Sequence, residues 1–439
     1  MKSINVGLLG FGTVGAGMAK ILIENGPIIE SRLGAPLVLK KIADLDITTD
    51  RGVAIQPDIL TTDASEVLND PEIDVVVELI GGYEPAKSFV LQAISNGKHI
   101  VTANKALLAK HGNEIFAAAA KHGVEVAFEA SVGGGIPLIH SIKEGLVANR
   151  IKTLFGILNG TANYILTKMT DEGATFETAL KRAQEKGYAE ADPTFDVEGI
   201  DTAHKLAILM MISYGIPINL DAVYTEGISK ITPLDIEFIQ QFGYRIKLLA
   251  IAKDTGDAVE ARVHPTMIPA ESMLANVNGS FNALSITGDM VGDILLYGRG
   301  AGRMPTGSAV VSDLVDVGRN ILYGAVGRSP AIGWQTSAVC DRRIKTIDDL
   351  ETRYYFRFTA VDSPGVLSKI AGVLGAHQIS IDSVQQKGRV TGGSVPIVMI
   401  TYKAREADVR KALKEIDGLP VVQGETMLIR IEGNLGIED

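Results

Sequence analysis

The chain has 439 residues, 46% of them hydrophobic and 21% charged, and this length predicts two to four domains. Its 42 basic and 52 acidic residues give a formal charge of −10, which argues against a nucleic-acid-binding surface. A lone cysteine, Cys340, excludes an internal disulfide framework and a structural cysteine–zinc site. The apolar runs are shorter than the roughly 18 residues of a membrane span. The N-terminus lacks a signal-peptide pattern, so we expect a cytoplasmic protein with no membrane partner.

Strand and helix patterns alternate through the first 130 residues. Continuously apolar strands, separated by helices, are predicted at 3–9, 37–43, 74–80, 99–103 and 124–130. Buried strands separated by helices predict an α/β fold with a doubly wound, Rossmann-type parallel sheet, which binds ligands at the carboxyl ends of its strands. We therefore predict a dinucleotide-binding domain over 1–130 that is completed by residues of about 300–325.

The pattern changes after residue 130. A strand at 157–160, helices at about 175–186 and 201–215, and antiparallel strands at 246–253 and 258–267 predict a mixed α+β domain over 131–300. We expect this domain to bind substrate and to dimerise. The polar residues 326–350 are predicted to be a linker. Residues 351–433 have the order strand, helix, strand, strand, helix, strand, which is typical of a ferredoxin-like domain.

The turn after the first strand has dinucleotide-binding spacing, Gly10-Phe11-Gly12-Thr13-Val14-Gly15. The first glycine permits a tight turn, the second lets the backbone approach a pyrophosphate, and the third lets the helix pack on the strand. The helix that follows offers unpaired N–H groups and a partial positive charge. NAD(P) binding is the prediction, and a purely structural glycine turn is the alternative.

Charged residues near two other strand ends also indicate a cofactor. Asp44 ends the second strand, where an acidic residue hydrogen-bonds the ribose hydroxyls and favours NAD. An acidic residue at a solvated strand end, without a ligand, is the alternative. Arg51, Lys40 and Lys41 are close enough in sequence to keep NADP open. Lys105 follows the fourth strand, so we expect it at the carboxyl edge of the sheet, near the nicotinamide. A surface lysine at a helix start is the alternative, and it is the less natural one because helix N-termini disfavour cations.

Residues 187–205 hold the densest polar cluster of the chain. Asp201 and Lys205 are four residues apart and therefore share one helix face, although the helix is otherwise apolar. A lysine held by carboxylates beside a pocket can protonate a developing alkoxide. An ordinary ion pair on a solvated helix face is the alternative.

This cluster resembles the signature of the homoserine dehydrogenase family. Segments 102–109, 159–165 and 300–314 resemble the same family in its order, so the resemblance covers residues 1 to about 325. It implies reversible NAD(P)-linked interconversion of aspartate 4-semialdehyde and homoserine, in threonine and methionine biosynthesis. Because no aspartokinase-like segment precedes residue 1, we expect a monofunctional enzyme.

The resemblance also implies a role for individual residues. Lys205 becomes the proton donor to the aldehyde oxygen, with Asp201 beside it in the catalytic site. The implied substrate-binding residues are Glu190, Asp201, Asn159, Gly160 and Thr161. The implied cofactor contacts, besides the glycine turn, Asp44 and Arg51, are Lys105, Gly187 and Gly302. A monovalent cation, Na⁺ or K⁺, is implied at Glu129, Val132, Gly134 and Ile136, largely through backbone carbonyls, although the three glycines at 133–135 are equally typical of a hinge.

The C-terminal segment resembles an ACT domain through its Asp362–Leu367 motif. That resemblance implies an amino-acid effector, most simply threonine, bound between two such domains. A dimerisation domain without ligand is the alternative. We expect a homodimer or homotetramer.

Three other classes of protein fit the sequence less well. A thioester-forming aldehyde dehydrogenase needs a nucleophilic cysteine, and Cys340 lies outside the catalytic segments. A zinc alcohol dehydrogenase needs cysteine and histidine ligands that the chain lacks. A non-catalytic NAD(P)-binding redox sensor with an amino-acid-sensing tail has no need for Lys205 and its acidic cluster.

Overall fold

The structure is a computed structural model that describes residues 3–386 and 393–433. Residues 387–392, inside the predicted ACT segment, lie outside the described residues. The chain forms two compact units. The first unit takes the described residues within 1–154, 201–221 and 281–342, and the second takes those within 155–200, 222–280 and 343–439. None of the described helices is long and apolar enough to cross a membrane.

Strands and helices alternate through the first part of the chain, as the apolar patterns predict. Their order is β1 (Ile4–Leu9), α1 (Thr13–Glu24), α2 (Gly26–Leu33), β2 (Leu37–Ala43), β3 (Leu60–Thr61), α3 (Ser65–Leu68), β4 (Val75–Glu78), α4 (Ala86–Ser95), β5 (His99–Thr102), α5 (Lys105–His122), β6 (Val126–Ala127) and α6 (Leu138–His140).

These strands form one parallel sheet of the first unit, in the order β3-β2-β1-β4-β5-β6. The register places Val6 of β1 between Leu39 of β2 and Val75 of β4. Val6 and Val75 are fully buried because helices cover both faces of the sheet. The predicted doubly wound parallel sheet is therefore confirmed, and the carboxyl ends of β1, β2, β4 and β5 share one edge.

The rest of the chain mixes helices with longer strands. The order is β7 (Ile151–Ile157), α7 (Gly160–Glu172), α8 (Phe176–Glu185), α9 (Thr194–Val197), α10 (Ile200–Tyr214), β8 (Tyr224–Thr225), α11 (Pro233–Gln241), β9 (Tyr244–Asp254), β10 (Ala258–Pro269), β11 (Phe281–Gly288), β12 (Gly292–Arg299), α12 (Arg303–Leu322), β13 (Arg343–Ile344), β14 (Glu351–Val361), α13 (Val366–Ala376), β15 (Ile381–Gln386), β16 (Ser394–Thr401), β17 (Ala404–Arg405), α14 (Glu406–Asp417) and β18 (Met427–Ile431).

Helix α12 belongs to the first unit, although it lies far along the chain from the parallel sheet. Its Val310 and Leu314 are fully buried in the same apolar core as Met18 of α1. The first unit also contains α10 and the antiparallel pair β11–β12.

The second unit contains the C-terminal ferredoxin-like arrangement, which confirms that prediction. Strands β18, β14, β16 and β15 pair antiparallel in this order. Phe356 of β14, Ile370 of α13 and Val409 of α14 share one apolar core. The sheet continues beyond β18, because Thr266 of β10 pairs in parallel with Arg430 of β18. The C-terminal segment is thus joined edge to edge to the β9–β10 hairpin.

Candidate active site

The glycine turn of the first unit packs tightly at Gly10 and Gly15 and is open at Gly12, where a Cβ would meet nothing within 4 Å. Gly10 has a φ of +97°, and a Cβ there would lie 2.7 Å from the Leu79 carbonyl oxygen. A Cβ at Gly15 would lie 2.2 Å from the Gly10 carbonyl oxygen. Among the described residues no side chain caps the first turn of α1, where Gly12 is the N-cap. These N–H groups and the bare backbone fit a bound pyrophosphate.

Asp44 directly follows β2 and accepts hydrogen bonds from two backbone N–H groups. Its Oδ2 accepts the Phe11 N–H of the glycine turn, and its Oδ1 accepts the Asp46 N–H at 2.8 Å. The carboxylate thus fixes the turn as well as standing at the predicted ribose position. Arg51, predicted at the cofactor, forms an ion pair with Asp46 at 2.9 Å, and its carbonyl accepts from Arg303 at 2.6 Å.

Lys105, Asp201 and Lys205 meet in the first unit, as the sequence predicts for the last two. The Lys105 Nζ lies 3.0 Å from Asp201 Oδ1, and the Lys205 Nζ lies 2.7 Å from Asp201 Oδ2. Lys105 reaches this carboxylate from the start of α5, directly after the carboxyl end of β5. The exposed side-chain fractions are 35% for Lys105, 10% for Lys205 and 4% for Asp201. We call these three residues the lysine–aspartate triad.

The Asp201–Lys205 pair of the triad is buried. Helix α10 is buried along its length, from Asp201 to Tyr214, so the pair Asp201–Lys205 does not lie on a solvated helix face. Burying charges costs several kcal/mol per ion unless they are paired and hydrogen-bonded. The buried Asp201 carboxylate orients two lysine ammonium groups. These groups lie at the carboxyl edge of the sheet, which binds ligands in this class of fold.

The predicted substrate segment around Asn159 belongs to the second unit. Asn159 caps α7, since its Oδ1 accepts the Ala162 N–H at 2.8 Å, and its Nδ2 donates to Asp196 Oδ1 at 2.7 Å. Thr161 Oγ1 donates to the Tyr188 carbonyl at 2.6 Å. These side chains therefore hold residues 187–197 against the start of α7.

The other predicted contacts are placed as follows. Gly187 follows α8 with a φ of +71°, and Glu190 is exposed in the same second unit. Gly160 is the first residue of α7, whose N–H groups can bind a carboxylate. Gly302 is the N-cap of α12 in the first unit and has a φ of +124°.

Glu129 is engaged by protein groups rather than turned toward a cation. Its Oε1 accepts the Ile139 N–H at 2.9 Å, and its Oε2 accepts the His140 N–H at 2.7 Å and contacts His140 Nδ1. The carboxylate of Asp316, 4.0 Å from His140 Nε2, and that of Glu129 raise the pKa of His140 to about 10. The Glu129 side chain therefore does not fit a metal ligand.

The remaining predicted cation residues are buried backbone positions. Val132 is fully buried and Ile136 is 3% exposed, while a Cβ at Gly134 would lie 2.4 Å from the Gly300 carbonyl oxygen. In the described ranges, His, Cys, Asp and Glu side chains form no group of three or more able to hold a metal ion.

Sequence reasoning missed several polar residues of the first unit. Glu78, at the end of β4, is fully buried. Asp313 of α12 is 2% exposed, and its carboxylate accepts the Glu129 N–H at 2.8 Å. Burial and the neighbouring Glu129 raise the pKa of Asp313 to about 7. For Glu78 a signal existed, because it is an acidic residue inside the apolar run of a parallel strand.

Family models match three consecutive parts of the chain. The homoserine dehydrogenase model matches residues 137–315, the model of the NAD-binding domain of homoserine dehydrogenase matches residues 10–129, and the ACT-domain model matches residues 354–421.

Individual relatives match almost the whole chain. A homoserine dehydrogenase of Pseudomonas aeruginosa is 49% identical, with 98% of this chain and 99% of that protein covered. One of Bacillus subtilis is 41% identical, with 99% of each covered. The crystal structure of a homoserine dehydrogenase from Thiobacillus denitrificans has a TM-score of 0.94 at 49% identity and covers 99% of both chains. The chain belongs to the homoserine dehydrogenase family of NAD(P)-dependent oxidoreductases, with a C-terminal ACT domain.

Proposed function

We propose that this protein catalyses the reversible NAD(P)-dependent reduction of aspartate 4-semialdehyde to homoserine. The observation that carries the proposal is the lysine–aspartate triad. It places two ammonium groups on one buried carboxylate, at 3.0 Å and 2.7 Å, next to the edge of the dinucleotide-binding sheet.

The triad suits the protonation that aldehyde reduction requires. When bound, NAD(P)H supplies the hydride for the aldehyde carbon. Lys205 donates a proton from Nζ to the aldehyde oxygen, which becomes the hydroxyl of homoserine. Asp201 orients both ammonium groups, and Lys105 adds positive charge where negative charge develops on that oxygen. No cysteine is needed, because no covalent intermediate forms.

The α7 start supports the assignment of the substrate's amino-acid end. Asn159 and Thr161 hold residues 187–197 in place through Asp196 and the Tyr188 carbonyl. We assign the substrate's ammonium group to the Glu190 carboxylate, which has the opposite charge. We assign the substrate's carboxylate to the N–H groups around Gly160, because a helix N-terminus has a partial positive charge.

Turnover tests the proposal. Purified protein with the semialdehyde should oxidise NADH or NADPH and form homoserine. Lys205→Ala should lower kcat by about 100-fold or more, the usual contribution of a proton donor, with cofactor affinity retained. The matched control is Lys168→Ala, which removes a lysine of an exposed i,i+4 pair with Glu172. No turnover with either cofactor rejects the activity, and a wild-type rate in Lys205→Ala rejects the role of Lys205.

We further propose that threonine inhibits the enzyme through the ACT domain. The supporting observation is that this domain shares a sheet with the β9–β10 hairpin through the Thr266–Arg430 pairing. Initial rates over a threonine series, together with equilibrium dialysis of threonine, test this. Absence of binding at millimolar threonine would leave the domain with a packing or dimerisation role only.

Four finer expectations stay predictions. NAD against NADP is decided by the paired cofactor assay, and the monovalent cation by rates in NaCl, KCl and choline chloride. Light scattering on the purified protein distinguishes a homodimer from a homotetramer. Cell fractionation tests the cytoplasmic location.

A further inference from the structure

Glu78 is the last residue of β4, and its side chain is fully buried. Its Oε1 accepts the Ile80 N–H at 2.8 Å and the Gly81 N–H at 3.2 Å. Its Oε2 accepts the Thr102 hydroxyl at 2.7 Å. Within the described ranges no lysine or arginine forms an ion pair with it, so neutral donors stabilise this carboxylate.

These bonds join two loops of the sheet edge. Residues 80–82 follow β4. The backbone at Ile80 packs closely against the glycine turn, since a Cβ at Gly10 would lie 2.9 Å from the Ile80 nitrogen. Thr102 ends β5, two residues before Asn104. Glu78 is thus the common acceptor of the loop after β4 and of the end of β5.

The connection continues to Lys105. Thr102 Oγ1 accepts the Asn104 N–H at 3.0 Å, and Asn104 Nδ2 donates to the Gly82 carbonyl at 2.8 Å. Asn104 also caps α5, because its Oδ1 accepts the Leu107 N–H at 3.0 Å. Lys105 is the first residue of that helix, so its starting point is set by groups that Glu78 holds.

We propose that Glu78 is a positioning residue that places Lys105, and through it the lysine–aspartate triad, by bridging the loops after β4 and β5. This inference rests on the proposed function of the triad. A buried carboxylate suits the task because its two oxygens accept four donors at once, the fourth being Asn104 Nδ2 at 3.5 Å from Oε1. An amide or an apolar side chain cannot do this. Misplacement of a catalytic group by about 1 Å costs on the order of 100-fold in rate.

A double-mutant cycle with Lys105→Ala tests the proposal. Glu78→Met keeps the side-chain length and removes the acceptors. We expect it to lower kcat at least about ten-fold in the wild-type background and less than about two-fold in the Lys105→Ala background. Glu78→Gln keeps one acceptor for the Ile80 and Gly81 amides and should lose less. Glu72→Gln, whose side chain is 73% exposed, is the matched control and should behave like wild type.

Thr102→Val provides a second cycle should Glu78→Met not fold, because it removes only the hydroxyl that donates to Glu78 Oε2 and accepts the Asn104 N–H. Thr102→Ser restores this hydroxyl and should recover most of the lost rate. Equal losses in both Lys105 backgrounds would overturn the proposal, since they would mean that Glu78 acts only on general stability.

The dissociation constant of NADPH or NADH is measured for the same four proteins of the Glu78→Met and Lys105→Ala cycle, because Lys105 is also a predicted cofactor contact. Coupling between positions 78 and 105 in cofactor affinity supports the inference even in a protein that does not turn over the semialdehyde. Turnover with additive losses in both kcat and affinity rejects the inference and leaves the proposed function standing.

Discussion

Lys247 of β9 shows how far a buried ion can depend on neutral partners. Lys247 is only 3% exposed. The ammonium group donates to the Val277 carbonyl at 2.6 Å, to Asn163 Oδ1 at 3.1 Å and to Asn278 Oδ1 at 3.2 Å. These bonds tie β9 to α7 and to the chain around residue 277.

Burial lowers the pKa of Lys247 from 10.5 to about 7, with Arg245 acting in the same direction and Asp171 against it. The unfolded chain therefore binds more protons than the folded chain between about pH 7 and 10.5, and wild-type stability from this group rises through that window. We predict that the unfolding free energy of wild type relative to Lys247→Met increases there by up to about 1.4 kcal/mol per pH unit. Denaturant titrations at pH 6, 8 and 10 measure it, and a constant difference contradicts it.

Individual residues divide into those that sequence can place and those that it cannot. The pair Asp201–Lys205 was predictable because four residues along a helix bring side chains together. The sequence places Lys105 at the carboxyl edge of the sheet. It does not predict the ion pair of Lys105 with Asp201, because that contact joins segments far apart in the chain. The engagement of Glu129 by His140 was equally invisible, since the resemblance carries residue types and no hydrogen bonds.

At the scale of elements, α7 is the helix to whose start we assign the substrate's amino-acid end. The sequence predicts a strand over 157–160, whereas β7 ends at Ile157 and Asn159 caps the helix. The apolar run alone could not show this, because the cap depends on the asparagine accepting the Ala162 N–H. The other predicted helices end within about two residues of their observed limits, since apolar periodicity and Gly stops mark them clearly.

We predict that Asn159→Ala lowers the unfolding free energy by about 1–2 kcal/mol, because an N-cap is lost, and also raises KM for the semialdehyde. Asn159→Asp keeps the cap acceptor but faces the carboxylate of Asp196, so it should raise KM with a smaller loss of stability. Thr175→Ala is the control, because Thr175 caps the neighbouring helix α8 and should affect stability alone. Equal KM values for wild type and Asn159→Ala would contradict the proposal.

At the scale of the whole chain, buried ion pairs connect the ACT domain to the rest of the second unit. Arg357 of β14 donates through Nη2 to Asp235 Oδ2 at 3.0 Å, and Asp235 of α11 is fully buried. Glu432 pairs with Lys253 at 2.7 Å and with Arg262, which is 2% exposed. The order of the elements predicted the domain itself, but these long-range ion pairs leave no pattern in the sequence.

Truncation should therefore damage the enzyme. A chain that ends at residue 350 leaves Asp235 without Arg357, and breaking a buried ion pair costs about 3–5 kcal/mol. We predict a clear loss of melting temperature or of solubility compared with the full chain. The same truncation with Asp235→Ser should recover part of the loss. A truncated chain with the wild-type melting temperature would show that the domain is a separable attachment.

The most direct test of the central claim follows a deuterium atom through the reaction. The enzyme is supplied with aspartate 4-semialdehyde and a reduced cofactor that carries deuterium at both positions of the transferring carbon, and the homoserine formed is analysed by mass spectrometry and NMR. Direct transfer predicts one deuterium on the carbon that bears the hydroxyl group. Homoserine without deuterium, or no homoserine at all, would contradict the account.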